Sequence, residues 1–436
     1  MAVMQGEKPK AALERITPEG GGSARDRAFL MEMVYGVLRH RAFLDHVLAR
    51  FLDRPEALPA KTVQNLRLAA YQMLFMRVPD WAAVNEAVSI ERTLHGLVNA
   101  VMRNMARGRA AIEAEVASLT DQAVRGELDA TGMSTLASYP QWLVERWIAR
   151  FGPAGAWRLM DAGNQVPRLT LRVNRLAATR TEVLAALARL GYDASPTALS
   201  PVGVRLRDQV RYQELGPLAG RAMAQDEGAQ LVSLALGPEP GMSVLDACAA
   251  PGGKALHLAE IMGNKGAVVA VESDGRRAER LDANVRVLGG PSPIVETVVA
   301  DAAVYARQHA GRFDCALLDA PCTSLGTVRR NPDVKLRHGE PALAGYGRKQ
   351  RALLDAVAEA VRPGGRLVYC SCSTEPEEGE HVVAGFLREH GQWSIIKPEH
   401  PGLAGDLIQP EGGMRTYPHL HETDGFFFAL MTRAAR

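Results

Sequence analysis

The chain has little of what would announce a membrane, secreted or strongly electrostatic protein. No apolar run is long enough to span a bilayer. The N-terminus has no apolar signal core, and its early Lys8, Lys10 and Arg15 are interleaved with Glu7 and Glu14. A cytoplasmic protein without membrane attachment is the expectation. Five cysteines in 436 residues, at 248, 315, 322, 370 and 372, do not make a disulfide framework, and their odd number argues against full pairing. No paired C-x-x-C spacing occurs, so no metal is expected. The net charge is only +2, too small for bulk charge to point to nucleic acid. What is left is an ordinary globular composition, 47% hydrophobic and 23% charged, long enough for two or three domains.

Hydrophobic spacing divides the chain. Residues 1–24 are polar, end in Gly20-Gly21-Gly22-Ser23 and read as a flexible lead-in. From 25 to about 130 a small all-helical domain is expected, because Phe29, Met33, Val34, Val37 and Leu38, then Leu66, Ala69 and Met73, then Leu97, Val98, Val101 and Met102 recur at helical spacing. Residues 135–236 mix the two patterns: a helix after Tyr139-Pro140, an alternating strand at 169–174, a helix capped by Thr179 and a short strand at 202–206. This is a small α+β linking domain. From 237 to 436, strands at 244–247, 267–272, 294–299, 313–319, 366–371 and 426–431 alternate with helices at 254–261, 276–288 and 349–361. Such alternation predicts an α/β fold with a doubly wound, mostly parallel sheet, with ligands at the carboxyl ends of its strands.

Three motifs fall at such ends. In Asp246-Ala247-Cys248-Ala249-Ala250-Pro251-Gly252-Gly253-Lys254, small residues let backbone approach a ligand closely, and the helix behind them favours an anion. Pro251 and the missing first glycine set this turn apart from the G-x-G-x-x-G fingerprint. Glu272 ends the next strand about 20 residues on, where an acid meets ribose hydroxyls in Rossmann-like folds, and Asp301 follows the third strand, within reach of an adenine amino group. Either acid alone also reads as a loop residue or helix cap.

The other two motifs are Asp319-Ala320-Pro321-Cys322 and Ser371-Cys372-Ser373, each directly after an apolar strand. A cysteine can act as a nucleophile when its surroundings favour the thiolate, and an acid beside it can stabilise developing charge. Cys248 and Cys315 read first as small buried hydrophobes; Cys370 shares strand parity with Cys372 and reads as a buried strand residue or a rival nucleophile. Arg329, Arg330, Lys335 and Arg337 follow the first cysteine motif and form a basic run, either a solvated face or a set of phosphate contacts.

These segments, with Asn331-Pro332-Asp333-Val334-Lys335, Tyr369–Glu378 and Asp424-Gly425-Phe426-Phe427, resemble S-adenosylmethionine-dependent RNA cytosine-C5 methyltransferases of the RsmB/Sun type over about residues 135–436. The helical region is similar to the NusB-like RNA-binding domain that bacterial members carry. The resemblance implies a Rossmann-like methyltransferase sheet and S-adenosylmethionine held by Cys248, Ala249, Ala250, Pro251, Gly252, Gly253, Lys254, Glu272, Arg277, Asp301 and Asp319. It implies Cys372 as nucleophile, although DNA cytosine methyltransferases, which use a Pro-Cys thiol, would nominate Cys322. Cys322 then helps product release, and Asp319 stabilises the ring.

The implied substrate is an unpaired or flipped cytosine of 16S ribosomal RNA, with Arg329, Arg330, Lys335 and Arg337 on flanking phosphates. A monomer is expected. Alternatives are the same chemistry on 23S rRNA or tRNA, a non-catalytic RNA-binding factor, and a small-molecule methyltransferase. Three departures from the family pattern stand out: Glu272 where Asp is usual, Gly379 where Asn is common, and a shortened segment between Val88 and Leu97.

Overall fold

A computed structural model describes residues 7, 9–16, 23–208, 210–288, 293–400, 403, 407–410 and 412–435. Two compact units emerge, one running to Gln165 and including Val328–Glu340, the other formed by Val166–Thr327 and Pro341–Arg436.

The first unit is helical. Part of the expected lead-in forms a helix, Pro9–Ile16; the rest of it up to residue 22, Glu7 apart, lies outside the described residues. Ala24–Arg39 starts in a capping box: Ser23 Oγ accepts from Asp26 N at 3.2 Å and Asp26 accepts from Ser23 N at 2.7 Å. Such a cap stabilises a helix by about 1 kcal/mol. Helices Arg41–Ala49, Ala60–Phe75, Asp80–Ile90 and His95–Arg125 follow and bury Leu44, Leu66, Met73, Val98 and Met102 between them. The last stops at Gly126, whose φ of +76° is left-handed and suits a residue without Cβ.

Helices Ala130–Ala137 and Gln141–Asn164 pack within this unit, although the linking domain was expected to start near residue 135. Tyr139, read as introducing the linking domain's first helix, is buried in the core here, as is Trp147.

The excursion Val328–Glu340 is anchored in this unit by Lys335, which is fully buried. Its Nζ donates to Arg39 O at 2.9 Å, Asn164 Oδ1 at 3.0 Å and Ala137 O at 3.4 Å, and lies 3.9 Å from the centre of the Tyr139 ring. Burial pushes its ammonium well below the ordinary lysine range.

The second unit contains two sheets. The smaller, in order β2-β3-β1-β4, is antiparallel and comprises β1 (Thr170–Val173), β2 (Ala194–Pro196), β3 (Gly203–Leu206) and β4 (Ala222–Ala224). Thr179 caps helix Arg180–Arg189, which packs on it. The larger sheet contains β5 (Ser243–Ala247), β6 (Ala267–Glu272), β7 (Val295–Val299), β8 (Phe313–Asp319), β9 (Val361–Ser371), β10 (Trp393–Ile395), β11 (Met414–Thr416) and β12 (Phe426–Arg433). Its order is β10-β12-β9-β8-β5-β6-β7, with β11 paired to β12; β5 to β9 run parallel and β12 antiparallel.

Alternate residues feed two cores. Cys315, Leu317, Val368 and Cys370 face helices Glu227–Leu236 and Gly253–Ile261; Ala316, Leu318, Leu367 and Tyr369 face helices Pro341–Ala360 and Glu380–Glu389. Strand order reverses between β5 and β8, and a crevice opens at the carboxyl ends of strands at such a point.

Arg172 ties the small sheet to the large one. It is buried, pairs with Glu260 at 2.6 Å, and also donates to Gln225 Oε1 at 2.5 Å and to Gly253 O. Burial pushes the Glu260 carboxyl up, against the pull of Arg172, so removing the guanidinium leaves that acid alone in the core. Arg172→Ala is expected to lower unfolding free energy by about 3–5 kcal/mol in urea titration. A loss under about 1 kcal/mol would show that the pair is not an anchor.

Candidate active site

The β5 end turns into helix Gly253–Ile261 through a tightly packed loop. Cys248 has φ +67° and Gly252 φ +97°. A Cβ on Gly252 would meet Leu281 Cδ1 at 2.4 Å, so the position needs glycine. Arg277 Nη2 donates to Ala250 O at 3.0 Å and Asn284 Nδ2 to Pro251 O at 2.8 Å, which fixes the turn from the helix after β6. Met223, Gln225, Asp246, Pro251, Lys254 and Asp319 are among the residues lining a cavity of about 160 Å³ there. The two contributions from β4 and its end carried no sequence signal, because they come from the linking sheet.

Lys254 Nζ binds Asp319 Oδ2 at 2.7 Å, joining the β5 turn to the end of β8. Burial opposes the ammonium charge most strongly, but Asp319, Cys370 and Asp246 together hold the group above the ordinary lysine range. Asp246 lies beneath, fully buried, with no hydrogen-bond partner on either carboxylate oxygen; burial pushes it up to about 8 despite Lys254. Glu272, at the end of β6, is also buried; Arg277 lies 3.3 Å from its Oε2, which accepts no hydrogen bond. Two buried carboxylates short of donors fit a ligand that brings an ammonium and hydroxyls. Asp301 is exposed and caps helix Ala302–Gln308 by accepting from Val304 N at 3.0 Å.

Beyond the ends of β8 and β9 the two cysteine motifs meet. Cys322 Sγ is 3.2 Å from Cys372 Sγ, both half-buried, and Ser324 Oγ lies 3.9 and 3.6 Å from them respectively. The Cys322 thiol is pushed well above the ordinary range, first by its hydrogen bond to Cys372 and then by burial. Cys370 points elsewhere: it is fully buried and its Sγ donates to Asp319 Oδ1 at 3.4 Å. Cys315 is buried in the core, and burial pushes Cys248, which lines the cavity, up to about 12.

The basic run departs from expectation. Lys335 has all three donors engaged inside the helical unit and Arg329 is buried there, so neither offers a free phosphate contact. The physical reason is the excursion of residues 328–340, which exchanges water for carbonyl acceptors. Arg337 is exposed but paired with Asp333, and Arg330 is half-buried.

Three residues around the cysteines were missed. Glu378, Gln350 and Arg415 are buried and bond the loops that carry Cys322 and Cys372. Their only sequence signal was Glu378's place in Pro376-Glu377-Glu378. The departure at Gly379 has a cause: a Cβ there would lie 2.7 Å from Arg415 Nη2 and 2.8 Å from Phe427 Cγ.

Comparison with known proteins gives three family matches: 16S rRNA methyltransferase RsmB/F over residues 233–432, the NusB family over 2–107, and a ferredoxin-like domain of RsmF/B-like methyltransferases over 139–213. Similar relatives include the probable ribosomal RNA small subunit methyltransferase B of Synechocystis, 34% identical over 97% of this chain and 95% of that one. The corresponding Salmonella paratyphi C protein is 35% identical over 94% and 91%. Among solved structures, PH0851 superposes with a TM-score of 0.77 at 28% identity over 99% and 96% of the chains. A methyltransferase homolog from Pyrococcus horikoshii gives 0.60 at 27% over 73% and 99%.

An ammonium ligand held at the raised Asp246 would bind in a pH-dependent way. The Asp246 carboxyl is protonated below about 8, whereas an ammonium ligand binds the carboxylate, so binding there releases a proton. The advantage of the natural protein over Asp246→Asn in affinity for S-adenosylmethionine is expected to grow roughly tenfold from pH 6.5 to 8 and then level off. Calorimetry of both proteins across that range checks this, and the ligand's own titration cancels in the comparison. A constant ratio would remove Asp246 from ammonium binding.

Proposed function

Because the chain belongs to the ribosomal RNA small subunit methyltransferase B family, we propose that it methylates carbon 5 of a cytosine in 16S ribosomal RNA through a covalent bond from Cys372 to carbon 6. The family makes it an S-adenosylmethionine-dependent methyltransferase. The observation that carries the finer reading is the 3.2 Å approach of Cys322 and Cys372 near the Lys254–Asp319 pair.

Carbon 5 of cytosine is a poor nucleophile, and addition of a thiolate to carbon 6 turns the ring into an enamine. Cys372 forms that bond as its thiol proton passes to the ring nitrogen N3, and the Asp319 carboxylate accepts a hydrogen bond from the new N3–H. When bound, S-adenosylmethionine supplies an electrophilic methyl on a sulfonium, to which carbon 5 bonds. The proton on carbon 5 then passes to a base, the bond from carbon 6 to sulfur breaks, and Cys372 leaves and regains the proton from N3. Cys322 keeps its own proton, as its raised pKa requires, and donates a hydrogen bond to the neighbouring sulfur before attack and on departure. Cys370 is set aside as nucleophile because it is sealed in the core beneath Asp319.

The cofactor is held in this reading by the turn from Cys248 to Lys254, with Glu272 on ribose hydroxyls and Asp246 on the ammonium. Arg277 acts by fixing the turn at Ala250.

Transfer of labelled methyl from S-adenosylmethionine to unmodified 16S rRNA, followed by nucleoside analysis, tests the reading. Label is expected in 5-methylcytidine. Cys372→Ala should abolish transfer, and Cys322→Ala should accumulate a denaturant-resistant RNA–protein complex. Label confined to 23S rRNA or tRNA would move the substrate, and cofactor binding with no transfer to any RNA would support a non-catalytic factor.

A further inference from the structure

We propose that Glu378 is a positioning residue that sets the distance between the two active-site sulfurs by binding the residue that follows each cysteine. The inference rests on the reading of Cys322 and Cys372 as the reacting pair. Strands β8 and β9 are paired only as far as Asp319 and Cys370, with a last backbone bond from Ala320 N to Cys370 O at 2.9 Å. Beyond it the two loops leave the ladder, and strand pairing no longer dictates how close they stay.

Glu378 takes over at that point. It is fully buried. Its Oε1 accepts from Thr323 N at 2.8 Å and from Gln350 Nε2 at 3.1 Å; its Oε2 accepts from Ser373 Oγ at 2.6 Å and from the Thr323 hydroxyl. Thr323 follows Cys322 and Ser373 follows Cys372. The main chain of Glu378 holds β9 as well, since its carbonyl accepts from Tyr369 Oη and Ser371 Oγ, both at 2.8 Å. Gln350 reaches back to Pro321 O at 3.0 Å, and Gly326 N donates to Cys372 O at 3.0 Å.

Four donors converge on one acceptor-only group, and charge-assisted bonds of this kind are short and strong. A glutamine in its place loses the charge, and its NH₂ forces both hydroxyls to reverse and accept or else faces the Thr323 and Gln350 N–H donors, so the bonds that hold the loops weaken. The loops would then part, and a misplacement of about 1 Å at reacting groups can reduce a rate roughly a hundredfold.

Single-turnover methyl transfer, cofactor affinity, thermal melting and the ratio of covalent complex to 5-methylcytidine are measured for the natural protein and Glu378→Gln. The expected result is a rate lower by about 10- to 100-fold with cofactor affinity changed less than about twofold, and a raised ratio of complex to product, because departure of Cys372 needs its neighbour. Ser373→Ala should cost less and add nothing when combined with Glu378→Gln, since both act through one bond.

Thr323→Val and Ser373→Ala, each removing one hydroxyl donor, carry the test if Glu378→Gln does not fold. A rate within twofold of the natural protein overturns the inference. So does a parallel fall of rate, cofactor affinity and melting temperature with an unchanged ratio. If the natural protein itself forms neither 5-methylcytidine nor covalent complex, the reading of the cysteine pair has failed instead.

Discussion

The parallel register between β8 and β9 is the constraint from which the rest of the site follows. It aligns Asp319 with Cys370, two residues far apart in sequence, at the end of a paired ladder. Because side chains alternate along a strand, Cys370 goes into the core and its thiol meets Asp319. Alternation puts Cys372 toward the same core as Cys370, but β9 ends at Ser371, and the following turn leaves Cys372 half-buried with its sulfur against Cys322. The end of the ladder thus separates a cysteine sealed in the core from one that is half-buried. The neighbouring pairing of β5 with β8 sets Asp246 against Leu317, which leaves Lys254, at the start of the next helix, in reach of Asp319.

Electrostatics around this point follow from burial and from which charges face each other. Asp246, Lys254, Cys370 and Asp319 lie together, and only Asp319 keeps a third of its side chain exposed. Burial raises Asp246 and Cys370, which therefore hold their protons, whereas Lys254 keeps its charge because Asp319 faces it. The cluster can exchange a buried proton for a bound cation. The cysteine pair has the same economy: Cys322 holds its proton beside Cys372, so one thiol supports the other.

Much of the catalytic unit was legible because its signals are local. Strands 267–272 and 313–319 follow from their own apolar patterns, Thr179 caps its helix by a side chain three residues from its partner, and the small residues of the β5 turn are needed by the turn itself. What escaped depends on distant partners. Lys335 reads as a surface base until residues 39, 137 and 164 surround it. Residues 135–165 carry a helical pattern that fits either neighbour, and they pack with the helical unit, although the family match over 139–213 joins most of them to the linking domain. Gly379 looked like a lost asparagine, yet it leaves room for Arg415, which bonds Ser373 O at 2.8 Å. Gln225 and Met223 reach the cavity at the β5 turn from a different sheet, and no local pattern marks them.

The central claim is that Cys372 makes the bond to the base. The most direct measurement uses 16S rRNA carrying 5-fluorocytidine, in which fluorine cannot leave carbon 5 as a proton does, so that the covalent complex is held. Digestion and mass analysis then identify the cross-linked peptide. The account predicts RNA attached to Cys372 within the peptide containing Ser371-Cys372-Ser373. Attachment at Cys322, or at Cys370, would contradict it.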